Sequence, residues 1–470
     1  LISTGFNRPD LSCGLDMIAT DRTKIHIFYI ILLSMAVLTT HFLTQLTTGT
    51  SLKVAAGCLI LVVSILRTEA ALYILILSML LSPEIKVAGG AGRDVVLRVD
   101  DILLVIIGLS WLAKTALFKE MGIFRKTPIN RPILIYAVVC AFSTILGVLF
   151  DRVRPADGFF YVLKYLEYFV VYFLVVNQLR GGEQIRRFVW AILITGVLIS
   201  IYGMMQIPSG VRVSAPFEGI NGEPNTMGGY LLLLISIVSG FFLTAKTQKT
   251  KVIYMGLAVF FTIPFIYTLS RTSWIAVIPM VMTLIYFSYR KTVLIYFVIL
   301  AVALTPIFAP KSAKERFLYT FQKHHTKSIV VAGVTLDPSS SDRITSWGRC
   351  LNDFVHHPVL GYGITGYGFI DGQYFRTLVE LGLAGLVSLW YLMFVVFREI
   401  LKVYRVCTRP YDKGLALGML AGCSAMFMHS LGANTFIIVR IMEPFWFLVG
   451  MVLILPRLRM AACDDEEAGS

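Results

Sequence analysis

Charge is scarce in this chain: only 15% of its 470 residues are Asp, Glu, Lys or Arg, against 57% hydrophobic. A soluble globule carries about a quarter of its residues charged, so the deficit excludes that class. The seven cysteines (Cys13, Cys58, Cys140, Cys350, Cys407, Cys423, Cys463) form no CxxC pair and no Cys/His ligand spacing. Most fall in or beside apolar runs, so no disulfide framework is indicated. There is no HExxH, Walker or dinucleotide sequence. The adjacent pairs His324-His325 and His356-His357 point apart in regular structure, so neither a metal site nor a cofactor is expected. Nor is there an internal repeat of the kind that builds many transporters. No cleavable leader is expected within it either: the run Ile25 to Leu43 meets Thr44-Gln-Leu-Thr-Thr-Gly-Thr50 with no small-x-small site, and reads as an uncleaved first span.

What the chain has in abundance is apolar runs of roughly 17–22 residues, the length a helix needs to cross the hydrocarbon. Spans fall near 25–43, 53–66, 69–83, 99–118, 131–150, 158–178, 185–206, 226–244, 252–268, 272–289, 292–309, 374–397, 413–432 and 434–455; the second and third are short and close together, so twelve crossings plus a re-entrant pair is the alternative to fourteen. Backbone amides facing lipid must be satisfied within their own segment, so the expectation is an all-α, polytopic transmembrane helix bundle of about 12–14 spans. A net charge of +14 raises the question of nucleic acid. The basic residues, however, sit in short loops between spans, which favours membrane lipids as neighbours and excludes a nucleic-acid partner. From Arg8, Arg22 and Lys24 onward, alternate connections are basic: Arg67; Lys114 to Lys126; Arg180 to Arg187; Lys246 to Lys251; Arg290-Lys291; Arg398 to Lys413; and Arg457 with Arg459. By the positive-inside rule these face the cytoplasm, and the long insert 311–373 faces the outer side, the periplasm of a bacterium. Three regions result: an N-terminal bundle (1–310), one large periplasmic loop domain (311–373), and C-terminal helices with an acidic tail (374–470).

The outer-side residues are where chemistry is expected. Arg271, in Leu269-Ser-Arg-Thr-Ser-Trp274, can present a bidentate fork to phosphate, or simply snorkel beside an anchoring tryptophan. Arg212 lies in the Gly/Pro/Asn-rich loop 207–225 on the same face. Asp371, ahead of Gln373, Tyr374 and Arg376, suits a helix N-cap and, by its boundary position, a general base. By spacing the cap is the preferred reading. Lys164 with Glu167 and Arg440 with Glu443 are spaced as structural pairs within spans, Glu380 has only Arg376 at i−4 as a local partner and reads either way, and Asp100 and Asp101 suit a helix start. The glycines of Gly361-Tyr-Gly-Ile-Thr-Gly-Tyr-Gly368 read as a turn laid against the membrane rather than a phosphate cradle.

Several of these residues together resemble the O-antigen ligase and O-antigen polymerase group of bacterial membrane glycosyltransferases. They are Glu223-Pro-Asn225, Ser270-Arg-Thr-Ser-Trp274, Arg343…Trp347…Leu351…His357-Pro-Val-Leu-Gly361-Tyr-Gly363, and the Gly382-Leu-Ala-Gly385 helix. The resemblance is strongest over about 205–390. Family ligases carry a loop histidine followed by a small residue, nine residues, Gly, two residues and Gly; here Asp371 stands at the histidine's place. Either a carboxylate replaces imidazole, or the chain is polymerase-like. The resemblance implies inverting, metal-independent transfer of a glycan from undecaprenyl pyrophosphate to an acceptor hydroxyl on a glycan or lipid-linked acceptor, at the periplasmic face of the inner membrane. Arg212 and Arg271 would hold the pyrophosphate and Asp371 would serve as base. Arg343, Arg349, His357, Asn225, Tyr374 and Arg376 would contact substrate. The alternative is a lipid-linked glycan flippase or other multi-span transporter, with Lys164, Glu167, Glu380 and Glu443 as its pathway.

Overall fold

The computed structural model describes residues 62–63, 66–90, 93–118, 125–218, 222–308, 310–319, 330–331, 334–335 and 337–468. The expected first span, nearly all of the second, and the His324-His325 pair lie outside them. The chain forms two compact units, residues 1–71 with 105–123 and residues 72–104 with 124–470. In the first, the described residues are almost all helical, covering the start of α1 (Thr68–Leu81) and the body of α2 (Val99–Phe118).

The second unit holds the rest. A hairpin of β1 (Glu84–Gly90) and β2 (Arg93–Arg98) leads into α2. Then come α3 (Asn130–Leu149), α4 (Pro155–Gln178), α5 (Gly182–Gln206), α6 (Pro224–Thr244), α7 (Gln248–Tyr267), α8 (Arg271–Phe287) and α9 (Lys291–Phe308). The insert contributes α10 (Lys311–Tyr319), a minimal hairpin of β3 (Val330–Val331) and β4 (Val334–Thr335), and α11 (Pro338–Phe354). Helices α12 (Gln373–Val406), α13 (Pro410–Gly432) and α14 (Val439–Ala468) close the chain. Among the described residues eight helices are long and apolar enough to cross a membrane: α3 to α7 and α12 to α14. Helix α8, with 17 residues, falls just short of that length. The protein is thus helical and multi-pass, and among the described residues strand is confined to two short hairpins.

The centre is α6 against α13, and small residues set their distance. A Cβ on Gly418 would lie 2.6 Å from the Ile237 Cα, and one on Gly240 would lie 2.3 Å from the Gly414 carbonyl oxygen. Backbones in that contact gain dispersion along their whole length, the usual cohesive force between helices in lipid. Around them Trp446, Phe445 and Phe447 of α14 are fully buried, with Phe169 and Tyr172 of α4 set edge-on to the Trp446 ring.

Helix α12 is broken where it enters the bundle. Gly382 has φ 68° and ψ −166°, so the carbonyls before it lose their intrahelical partners. The turn 358–366 supplies replacements: Tyr362 N donates to Val379 O at 3.0 Å, and Gly363 N to Glu380 O at 2.8 Å. Beyond the break, Leu383 N donates to Pro358 O at 2.8 Å and Ala384 N to Val359 O at 3.1 Å. Irregular backbone at this depth is tolerated only when protein satisfies it, and the insert does so. Ser143 of α3 clamps both sides, donating to Leu360 O at 2.5 Å and Glu380 O at 3.1 Å. The glycine-rich motif is therefore a turn, as its composition indicates, but one docked into a broken helix.

A Cβ at 382 would stand 2.3 Å from the Val359 oxygen on a left-handed backbone. Gly382→Ala is expected to destabilise the chain by about 1–3 kcal/mol. Thermal unfolding in detergent checks this; an unchanged midpoint contradicts the docked-turn reading.

Candidate active site on the insert-bearing face

Successive helices alternate direction, so the insert shares one face with the connections 150–154, 207–223, 268–270 and 433–438. Contacts bear this out: Arg440 Nη1 donates to Pro216 O at 2.5 Å, and Gln373 N to Ala433 O at 3.3 Å.

The joint between α7 and α8 is the tightest of these connections. Leu269 there has φ 50°, a strained value for a branched residue. Arg212 holds it in place, Nε donating to Thr268 O at 3.1 Å and Nη2 to Leu269 O at 3.2 Å, with Nη1 left over. Ser270 caps α8 by accepting from Ser273 N at 3.3 Å, which fixes where Arg271 leaves the helix. Arg271 then grips Asp337, at the start of α11, through two bonds: Nη1 to Oδ1 at 2.7 Å and Nη2 to Oδ2 at 2.9 Å.

Arg212, Arg271, Arg316 and Arg343 act on one another electrostatically. Burial, followed by the positive charges of Arg316, Arg271 and Arg343, pushes Arg212 down to about 10. Arg316 is lowered by burial and then by Arg271. Burial alone would raise the Asp337 carboxyl, but the Arg271 and Ser340 hydrogen bonds outweigh it and hold it below the usual carboxylate range. Of these guanidinium groups, all partly shielded from water, Arg271 pairs with Asp337 and Arg343 with Asp371.

Asp371 joins through Arg343, whose Nε and Nη2 both donate to Oδ2 at 3.2 Å. Its backbone is pinned as well. Trp347 Nε1 donates to Asp371 O at 2.7 Å, and Asn434 Nδ2 to Ile370 O at 2.9 Å. The capping expectation fails: Gly372, with φ 108°, stands at the N-cap of α12 and no side chain caps it, while the Asp371 carboxylate turns to arginine instead.

The structure thus brings together Arg212, Arg271, Arg343 and Asp371, and joins Asn225 to them by the Ser270 hydroxyl at 2.7 Å. The other expected contacts fall elsewhere. Arg376 is buried on Glu380 at 3.2 Å, within a network that includes Tyr165. Tyr374 donates to Phe427 O on α13 at 2.7 Å. His357 lies edge-on to Tyr362 at 4.5 Å, its pKa lowered by burial and then by Arg152 and His356. Arg349 is exposed and acts on Tyr367, which itself bonds Asp353. Arg316 and Asp337 were missed as site residues. The available signal was Asp337 as the single acid between Glu315 and Asp342 in a basic stretch.

The span charges form separate fixed networks. Asp101 Oδ2 takes Arg98 N at 2.8 Å, the capping role expected of it, and Lys164 Nζ at 2.7 Å. Lys164 stands 3.7 Å from Glu167, and Asp100 pairs with Arg98 at 2.7 Å. Arg440 does not simply neutralise Glu443: it braces the carbonyls of Pro216 and Ser82 and stands 3.8 Å from Glu218, while Glu443 faces Arg98.

The fold is that of a multi-pass helical membrane protein, and it gathers arginines and a carboxylate on one face. Residues 256–390 match the family model described as O-Antigen ligase, so the chain carries that domain within a multi-pass membrane protein. The family's reaction is glycan transfer of the ligase or polymerase type, from lipid-linked glycans. No curated protein matches the chain. The matched segment contains Arg271, Arg316, Asp337, Arg343, Asp371 and the Gly382 break, whereas Arg212 and Asn225 lie outside it.

Glu218 offers a pH test of this face. Burial raises its carboxyl to about 7 despite Arg440 and the amide of Glu223. A raised folded-state value stabilises fully below the unfolded value near 4.5, and that contribution is lost as pH rises through about 7. Glu218→Gln is expected to flatten this part of the profile in detergent melts between pH 4.5 and pH 8. An identical slope in both proteins contradicts the assignment.

Proposed function

We propose that the arginine group holds the diphosphate of an undecaprenyl-pyrophosphate-linked glycan while Asp371 receives the acceptor's proton. The acceptor oxygen attacks the anomeric carbon from the face opposite the diphosphate. The anomeric C–O bond breaks, its electron pair leaves on the diphosphate, and the hydroxyl proton passes to Asp371, so the configuration inverts. The observation that carries this is the mutual crowding of Arg212, Arg271, Arg316 and Arg343. Fixed positive charge already in place where negative charge develops is worth more than charge that must be assembled during reaction.

Arg343 occupies only one oxygen of Asp371, which leaves Oδ1 for an acceptor hydroxyl. Asp337 serves as the counter-ion that aims Arg271. The basic loops of the alternate connections support a periplasmic position for the insert 311–373, between the regions 1–310 and 374–470 in the chain, in a bacterial inner membrane. The transporter alternative needs charges able to change partners. Lys164, Glu167, Glu380 and Glu443 instead sit in two packed networks.

Arg271→Ala and Arg212→Ala are each expected to lower glycan transfer by about 100-fold or more, measured as glycan assembly in a complemented deletion strain. Asp371→Asn should abolish transfer while leaving membrane insertion intact, and Asp371→His should restore part of it. Full activity in the arginine variants overturns the diphosphate assignment; full activity in Asp371→Asn removes its role as base.

A further inference from the structure

A chain of five polar groups leads from the α13–α14 connection to the arginine group. Thr435 Oγ1 lies 2.7 Å from His429 Nδ1, and His429 Nε2 lies 3.0 Å from Ser273 Oγ. Ser273 Oγ donates to Ser270 Oγ at 2.8 Å, and Ser270 Oγ donates to Asn225 Oδ1 at 2.7 Å. Thr435, His429, Ser273 and Ser270 are buried; Asn225 is half-buried.

Proton accounting allows this chain two directions. In the one present, the Ser270 and Ser273 hydroxyl protons both point toward Asn225. His429 must then donate from Nε2 and accept the Thr435 hydroxyl at Nδ1. In the reverse direction the proton sits on Nδ1, every hydroxyl turns, and Ser270 accepts from the Asn225 amide nitrogen. The imidazole tautomer therefore decides which end of the Asn225 amide is bound to Ser270 and which is free. In the arrangement present the free end is Nδ2, which no protein acceptor holds among the described residues.

We infer that His429 is a positioning residue for the donor substrate: through Ser273 and Ser270 it fixes Asn225 so that Nδ2 can donate to a diphosphate oxygen beside Arg271. This rests on the diphosphate reading of the arginine group. It adds a neutral donor to a cationic site, and it explains why a histidine sits dry inside α13. An ionisable group in a span is expected to have a task.

The test is a double-mutant cycle on the full chain in detergent, with inorganic pyrophosphate as the probe and calorimetry as the readout. Asn225→Ala and His429→Leu should each weaken binding roughly tenfold, the usual loss for one hydrogen bond to a charged group. The double variant should bind no more weakly than Asn225→Ala alone, because His429 acts through Asn225. His429→Gln can still donate to Ser273 and should bind like the native protein. If His429→Leu misfolds, Asn225→Asp carries the test: it still accepts from Ser270 but replaces the donor with an oxygen, and should bind more weakly than Asn225→Ala. Independent, multiplying losses in the cycle, or native binding by Asn225→Ala or Asn225→Asp, overturns the inference. Arg271→Ala separates the two readings. Native binding by that variant sinks the diphosphate site itself, whereas its failure to bind beside an additive cycle sinks only the role of His429.

Discussion

Like charges held together and partly shielded from water are the constraint on which this face of the protein depends. The charges of Arg316, Arg271 and Arg343 act against Arg212, and those of Arg271 and Arg343 against Arg316, with burial adding to both. Such a group persists only if the surrounding structure forces it. The forcing is visible in the Ser270 cap that launches Arg271, the carbonyls that trap Arg212, and the two carboxylates that neutralise part of the charge. On the proposed reading, an incoming diphosphate relieves this crowding.

The broken helix serves the same end. By ending its first segment at Gly382, α12 lets the turn 358–366 dock inside the bundle, and with it α11. Helix α11 carries Arg343 and Trp347, and Trp347 in turn fixes the backbone of Asp371. A glycine in a span and a glycine-rich loop thus position a carboxylate they never touch. The buried pair Arg376–Glu380 belongs to this scaffold: Glu380 also receives Tyr165 at 3.0 Å, so the helix segment before the break is anchored to α4.

Much of this was legible in the sequence. Helix positions follow from apolar run length, and the shared face of Arg212, Arg271 and Asp371 follows from counting crossings. Composition could not show which charges meet. Arg376 and Tyr374 read as site residues because they follow Asp371 in the chain, yet a helix turns successive residues in different directions, and both point into the bundle. Asp337 stayed hidden because its partner Arg271 is 66 residues away, a separation that no local pattern encodes. His429 is a similar case: an isolated histidine in an apolar run gains meaning only once Ser273 and Thr435 are seen on either side of its ring.

The central claim concerns where an anion binds, and imaging the anion answers it most directly. A cryo-electron microscopy map of the chain with undecaprenyl pyrophosphate should show diphosphate density enclosed by Arg212, Arg271, Arg316 and Arg343, with the lipid tail leading into the bilayer. Density instead in the opposite-face cleft lined by Arg186, Lys246 and Arg409 would contradict the account.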